Sequence, residues 1–217
     1  MLARRYLLRG WGTACLGAIT LALLWVPVAA ADDELAKKLL AAPPPLGEKS
    51  LGSPDAPAVL IEYASATCPH CAHFHVDVLP ELKKTYIETG KLRLVFREFP
   101  TDQRALAVFM LARCVPDDRY FEAIDAIFRE QKEWNAPGAD TKGKLFGMFG
   151  ALGLTSEAAE ACLRREDLAR SIYEYGQSAN EDFGVKSTPT LFVNGIFVDG
   201  HDDAQPVRKA IDAALRQ

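Results

Sequence analysis

The chain has 217 residues, of which 49% are hydrophobic and 25% charged, and its formal net charge is −4. That is enough apolar sequence for one domain with one elaboration, and the cations are too few and too scattered for a nucleic-acid surface or for attraction to anionic lipid. There is no internal repeat at the periods of solenoid proteins.

The first 31 residues read as a secretory leader. Arg4, Arg5 and Arg9 precede an apolar run from Gly10 to Val28, and Ala29 and Ala31 supply an Ala-x-Ala pattern. Cleavage is expected near Ala30 or Ala31; the competing reading is a retained anchor, since about 20 apolar residues span a bilayer. Arg4-Arg5 followed by Tyr6, Leu7 and Leu8 also resembles a twin-arginine signal. Removing residues 1–31 takes away three Arg and no acid, leaving 186 residues with a formal charge of −7. Cys15 departs with them, so an exported chain keeps an even set, Cys68, Cys71, Cys114 and Cys162, in surroundings that permit disulfides.

Residues 32–50 begin with the helix-like DDELAKKLLAA and stop at PPP, which favours extended geometry, so they read as a short arm and linker. Turn residues in LGSPDAP lead into AVLIEYAS, an apolar run of strand length. From Cys68 to about Thr89 the spacing of Val78, Leu82 and Tyr86 predicts a helix, closed at Gly90. KLRLVFREF then sets Leu92, Leu94 and Phe96 against Lys91, Arg93 and Val95, the alternation of a second strand. From Asp102 to about Phe183 the pattern is helical, with breaks at Val115-Pro116, Ala136-Pro137-Gly138 and Gly153, and four or five helices are expected. TPTLFVNG and IFVDG form a hairpin through Asn194-Gly195, and PVRKAIDAALRQ reads as a terminal helix with Pro206 in its first turn. Strand, helix, strand, helical block, hairpin, helix is an α/β or α+β order with a helical insertion.

Residues 65–75, SATCPHCAHFH, hold two of the five cysteines and three of the four histidines. Cys68 falls between a strand and a helix, where unpaired N–H groups and the helix dipole favour a thiolate. Cys71 sits one turn further in, so Cys68 reads as the nucleophile and Cys71 as the resolving thiol. Pro69 suits the first turn, and His70 can donate a hydrogen bond or place positive charge near the Cys68 sulfur. A metal reading competes, because Cys-x-x-Cys with His73 and His75 offers zinc or copper ligands. It is weakened by the rotation of His73 away from the face shared by Cys71 and His75, and by the lack of a second Cys-x-x-Cys. In the bland reading one of His73 and His75 faces solvent and the other packs beside Phe74 without chemistry.

Cys68-Pro69-His70-Cys71, with LGSPDAPAVLIEYASATCPHC before it and STPTLFVNG after, resembles the DsbA-like thiol-disulfide oxidoreductases of the thioredoxin superfamily over most of residues 50–217. The resemblance implies an α/β thioredoxin fold with an inserted helical domain: residues 51–101 and 184–217 thioredoxin-like, residues 102–183 inserted. It places Thr188-Pro189 at a cis-proline that lies against the cysteines and pairs with bound peptide. It implies that Glu62, six residues before Cys68, moves protons to and from the resolving thiol; a strand-edge carboxylate in water is the alternative, and Arg97 or Glu98, at the end of the second strand, is the candidate partner. Oxidising surroundings and the even count favour a structural disulfide between Cys114 and Cys162, which is similar to a helical-domain bridge in some relatives; two separate buried thiols are the other reading.

The implied function is a periplasmic dithiol oxidase of newly exported proteins, using no cofactor beyond its own disulfide and re-oxidised by a membrane partner of the DsbB type. Thr before the proline resembles the isomerase and reductase branches, DsbC and DsbG, so the opposite direction of electron flow stands as the alternative. The short arm is no dimerisation domain, and a monomer is expected. A metal-binding or chaperone-like module is the third reading. Trp134, in the helical block, is the one Trp outside the leader.

Overall fold

The computed structural model describes residues 28–41 and 43–216. Apart from its last four positions, the expected leader, with its twin arginines and Cys15, lies outside the described residues. Among the described residues no helix is long and apolar enough to cross a membrane.

Strands β2 (Ala58–Ala64) and β3 (Leu92–Glu98) run parallel, with Glu62 opposite Phe96 and Tyr63 opposite Arg97. Strands β4 (Thr190–Val193) and β5 (Ile196–Val198) continue the sheet antiparallel beyond β2, and β1 (Lys49–Leu51) lies antiparallel on the far edge of β3. The linker reading of residues 32–50 is corrected at its end, since Lys49 and Ser50 belong to β1. Three residues are too few to carry a period-two signal, and pairing with Leu94, Val95 and Phe96 makes them a strand.

Strand alternation divides the sheet into two faces. Leu60, Glu62 and Ala64 share one with Leu94, Phe96 and Glu98, while Ile61 and Tyr63 share the other with Val95 and Arg97. Helix α1 (Val28–Ala41) covers the second face, where Leu39 is buried with Ile61, Val95 and Phe183. Its carbonyl at Leu39 accepts a hydrogen bond from the buried Arg97 guanidinium at 3.0 Å. The hairpin turn has φ 46° at Asn194 and 83° at Gly195, and a Cβ at Gly195 would stand 2.3 Å from that of Ala36, so both backbone and packing require glycine.

The expected helix after Cys68 is a continuous helical run, but it is not regular. It comprises α2 (Pro69–His73), a π-helical turn (Phe74–Val78), α3 (Leu79–Leu82) and a second π-helical turn (Lys83–Ile87). Pro80 has no N–H to give the preceding turn, and the ladder widens there, the Leu79 N–H reaching back to the Phe74 carbonyl.

Between β3 and β4 the described residues hold six α-helices, not four or five: α4 (Gln103–Cys114), α5 (Tyr120–Arg129), α6 (Gln131–Trp134), α7 (Thr141–Ala151), α8 (Ser156–Leu163) and α9 (Glu166–Phe183). The breaks at Pro116, Pro137 and Gly153 fall between helices, but α6 separates from α5 at Glu130, where no Gly or Pro marks a stop. Asp102, Asp140 and Thr155 cap α4, α7 and α8 by accepting from backbone N–H groups. A disulfide joins Cys114 to Cys162 across 48 residues, tying α4 to α8; a loop of that size is worth about 4 kcal/mol in the chain-entropy view. Helix α10 (Ala204–Ala214) closes the chain against β4 and α3.

The insertion is fastened to the sheet by a buried ion pair. Glu98, at the end of β3, receives Arg113 Nε at 2.5 Å and Nη2 at 2.8 Å, and the Tyr120 hydroxyl at 2.7 Å. The same guanidinium donates to the carbonyls of Leu46 and Gly47, each at 3.0 Å. Removing one partner leaves an uncompensated buried charge. Arg113→Met is therefore expected to lower unfolding free energy by about 3–5 kcal/mol, read from urea midpoints.

Candidate active site

The site is built at the junction of β2 and α2. The strand ends at Ala64, the Cys68 N–H closes a turn onto the Ser65 carbonyl at 3.1 Å, and Cys68 itself keeps extended geometry (φ −76°, ψ 121°) as the first helical turn begins. Pro69 takes a position where an N–H would have had no partner. Cys68 is half-buried, Cys71 is fully buried one turn inward, and both are unbridged thiols.

Burial and hydrogen bonding push these two sulfurs apart. The Cys68 thiol is lowered from 9.0 to about 5, chiefly by a hydrogen bond from the Cys71 thiol, then by the Thr188 side chain and by the N–H groups of Cys71 and His70, against some desolvation. Cys71 is raised well above its usual range, first by burial, then because its proton is held toward Cys68, then by the Glu62 charge. Cys68 can thus persist as a thiolate while Cys71 stays protonated.

The Thr188-Pro189 peptide is cis, and the Thr188 carbonyl oxygen accepts a hydrogen bond from the Cys68 thiol at 3.1 Å. Cys68, Pro69 and Thr188 line one end of an open cleft of about 990 Å³ whose other walls include Thr101, Arg104 and Asn135. A second groove of about 720 Å³ runs along the outer side of α2, between His73 and the α5–α6 residues Phe128 and Gln131.

His70 stands elsewhere than expected. Its backbone N–H serves the Cys68 sulfur, but the imidazole is exposed, 3.3 Å from Asp202 and edge-on to His201. Donor atoms of His70, His201 and Asp202 lie within 4.8 Å of one another, the one such trio among the described residues that has the donor set for a cation. His73 is partly exposed and bonded to Asp77 at 2.7 Å. The Cys71, His73 and His75 set does not converge on a common point.

Glu62 is fully buried on β2, which excludes the strand-edge carboxylate in water. Neither expected partner meets it. Strand alternation turns Arg97 to the opposite face, where it donates to the Tyr63 hydroxyl at 2.8 Å, and Glu98 is held by Arg113 and Tyr120. The actual partner is His75, whose Nε2 lies 3.1 and 3.0 Å from the two carboxylate oxygens. As the bland reading expects, His75 packs edge-on to Phe74, and it also hydrogen-bonds Glu62. Glu62 and His75 come from different elements, and only the packing of the helical run on β2 joins them.

Gln131 was also missed. From α6 its amide donates to the carbonyls of Ala66 at 2.8 Å and Cys68 at 2.9 Å, holding the turn that presents the sulfur. Thr67 donates to Asp102 at 2.6 Å, tying the same turn to the start of α4. No sequence signal marks Gln131, one of three polar residues in QKEW.

A parallel pair of strands, a crossing helical run that starts at a Cys-x-x-Cys, and a cis-proline loop against the first sulfur define a thioredoxin-fold protein with a dithiol centre. Residues 46–213 match the thioredoxin family. A Rickettsia bellii protein whose name assigns it to the protein-disulfide oxidoreductases is 34% identical over 174 residues, covering 77% of this chain and 64% of that protein. The chain thus spans less than two thirds of the length of the Rickettsia relatives it matches. α-DsbA1 of Wolbachia pipientis is 30% identical, with a TM-score of 0.75 over 82% of this chain and 95% of that one. Oxidised BdbD from Bacillus subtilis, 22% identical over 81% of this chain and 97% of that one, shares the fold at a TM-score of 0.71. The chain belongs to the DsbA-like family of the thioredoxin superfamily.

The depressed Cys68 pKa carries a pH signature. A thiol lowered from 9.0 to about 5 adds stability to the reduced protein that is full above pH 9 and disappears as pH falls through 5. Thiolate absorbance of the reduced protein is expected to titrate with a midpoint near 5. The stability advantage of the reduced protein over Cys68→Ser is expected to grow between pH 5 and 8; an advantage independent of pH would contradict the assignment.

Proposed function

We propose that this chain is an exported protein thiol:disulfide oxidase. The observation that carries the reading is the opposite displacement of its two thiols, Cys68 down to about 5 and Cys71 well up. Stabilising the thiolate of the reduced form makes the disulfide form a stronger oxidant.

In the forward reaction a substrate thiolate attacks Cys68 of the Cys68–Cys71 disulfide. A mixed disulfide forms, the electron pair leaves on Cys71, and that sulfur takes a proton. A second substrate thiolate then attacks the substrate sulfur and expels Cys68 as the thiolate. Two electrons have moved to the protein, and the pair needs no further cofactor. Thr188 borders the cleft beside Cys68 and, with Pro189 next to it in the chain, is assigned to hold the substrate backbone. A backbone-reading site of this kind suits unfolded, newly exported chains. Export by the leader to the periplasm, re-oxidation by a membrane partner of the DsbB type and action as a monomer complete the proposal.

The test is the reduction potential of the mature protein in graded glutathione buffers, with alkylated Cys68 and Cys71 counted by peptide mass spectrometry and Cys114 and Cys162 as controls. A value of about −120 to −180 mV is expected. One near −270 mV would assign the chain to the reductase direction instead. Cys68→Ser is expected to abolish exchange, and turnover by that variant would overturn both directions.

A further inference from the structure

A buried resolving thiol sets a transport problem. Cys71 must release a proton to attack a mixed disulfide and regain one when it leaves, yet Cys71 and Glu62 are both fully buried. Proton traffic through Glu62 therefore requires a group that reaches from the carboxylate to the surface.

We propose that His75 is that group: it relays protons between Glu62 and solvent, with Asp125 at the outer end. This rests on the reading that Cys68 and Cys71 perform dithiol exchange. The imidazole lies across the interior wall. Its Nε2 contacts both oxygens of Glu62, and its Nδ1, on the opposite side of the ring, is buried without a hydrogen-bond partner. Nδ1 stands 4.0 Å from Asp125, a gap that a bridging water or a small side-chain rotation closes. Asp125 is a third exposed, and with His75, Lys83 and Arg129 it lines a surface cleft of about 190 Å³. The ring is clamped in this orientation by stacking on Phe128 at 4.2 Å and by the edges of Phe74 and Phe96.

A histidine kept only for packing and one hydrogen bond has no reason to aim its second nitrogen at a cleft with a carboxylate. The charged groups around it are Glu62 from β2, Lys83 from its own helical run, and Asp125 and Arg129 from α5, with Cys71 one turn back along the run. Lys83 donates to Asp125 at 2.9 Å and holds the outer carboxylate in place. His75 touches neither sulfur of the pair in this scheme; it acts through Glu62 and is a positioning residue for the proton.

The step is the resolution of a mixed disulfide. Cys71 sulfur bonds to Cys68 sulfur, the bond from Cys68 to the partner sulfur breaks, and the partner leaves as a thiolate. The Cys71 proton passes to Glu62, a proton enters the imidazole at Nε2, and one leaves from Nδ1 to the cleft. Reduction of the Cys68–Cys71 disulfide runs the relay backward.

The full-length reduced protein is mixed with oxidised glutathione at pH 5–8, and the Cys68–glutathione adduct is followed by acid quench and mass spectrometry. Formation of the adduct depends on Cys68 alone; its decay reads Cys71. In His75→Gln, formation is expected to be unchanged, while decay slows about tenfold or more, the low end of general acid–base effects, and loses the wild-type pH dependence. Asp125→Asn is expected to slow decay in the same direction. In His75→Ala, imidazole added at millimolar concentration is expected to restore decay, and pyrrole, of similar shape but not basic, is not. Wild-type decay and pH profile in His75→Gln would overturn the relay, as would equal rescue by pyrrole. A wild-type protein that forms no adduct would overturn the dithiol reading itself, and the relay with it.

Discussion

Two thiols three residues apart ionise in opposite directions because the first stands at the start of a helical run and the second lies one turn inside a hydrophobic core. At Cys68, N–H groups, the Cys71 thiol and the Thr188 side chain gather around a sulfur that still meets solvent. At Cys71, burial removes the water that a thiolate needs. The rest of the fold can be understood as the means of holding these unlike environments so close together.

The sheet supplies one half of that support. Strand β2 delivers Ser65 and Thr67 to the turn before Cys68, and from its core face it sends Glu62 toward the buried thiol. The cis-proline loop before β4 brings Thr188 against the exposed sulfur, because β4 pairs directly with β2. The helical insertion supplies the other half. Gln131 grips the turn by two carbonyls, Asp102 binds Thr67, and Phe128 clamps His75. The Glu98–Arg113–Tyr120 cluster fixes α4 and α5 on the end of β3. The insertion is therefore part of the site's framework as well as a wall of its clefts.

Much of this was legible along the chain. Alternation in KLRLVFREF, the Asn194-Gly195 turn and the proline and glycine breaks each express a local rule, since period-two burial, positive φ and a missing N–H act within a few residues. Strand β1 and helix α6 were not legible, because one is three residues long and the other is a single turn, and neither has a local signature. The widened turns in the helical run lay between these cases: Pro80 announces a disturbance in the ladder but does not say that it is absorbed by π turns rather than by a break.

At the site the same division holds. Cys-x-x-Cys at a strand-to-helix junction determines by itself which sulfur is exposed and which is buried, because one helical turn separates them and the helix start lies at the surface. Whom each polar side chain meets was decided only by the tertiary structure. Arg97 and Glu98 are adjacent in sequence to the strand's apolar residues and looked equally available to Glu62, yet the pleat sends one to the far face and Arg113 captures the other. His75, thirteen positions from Glu62, and Gln131, more than sixty from Cys68, reach the centre through packing of separate elements. Side-chain pairing across elements depends on register and helix rotation, which no short stretch of sequence encodes.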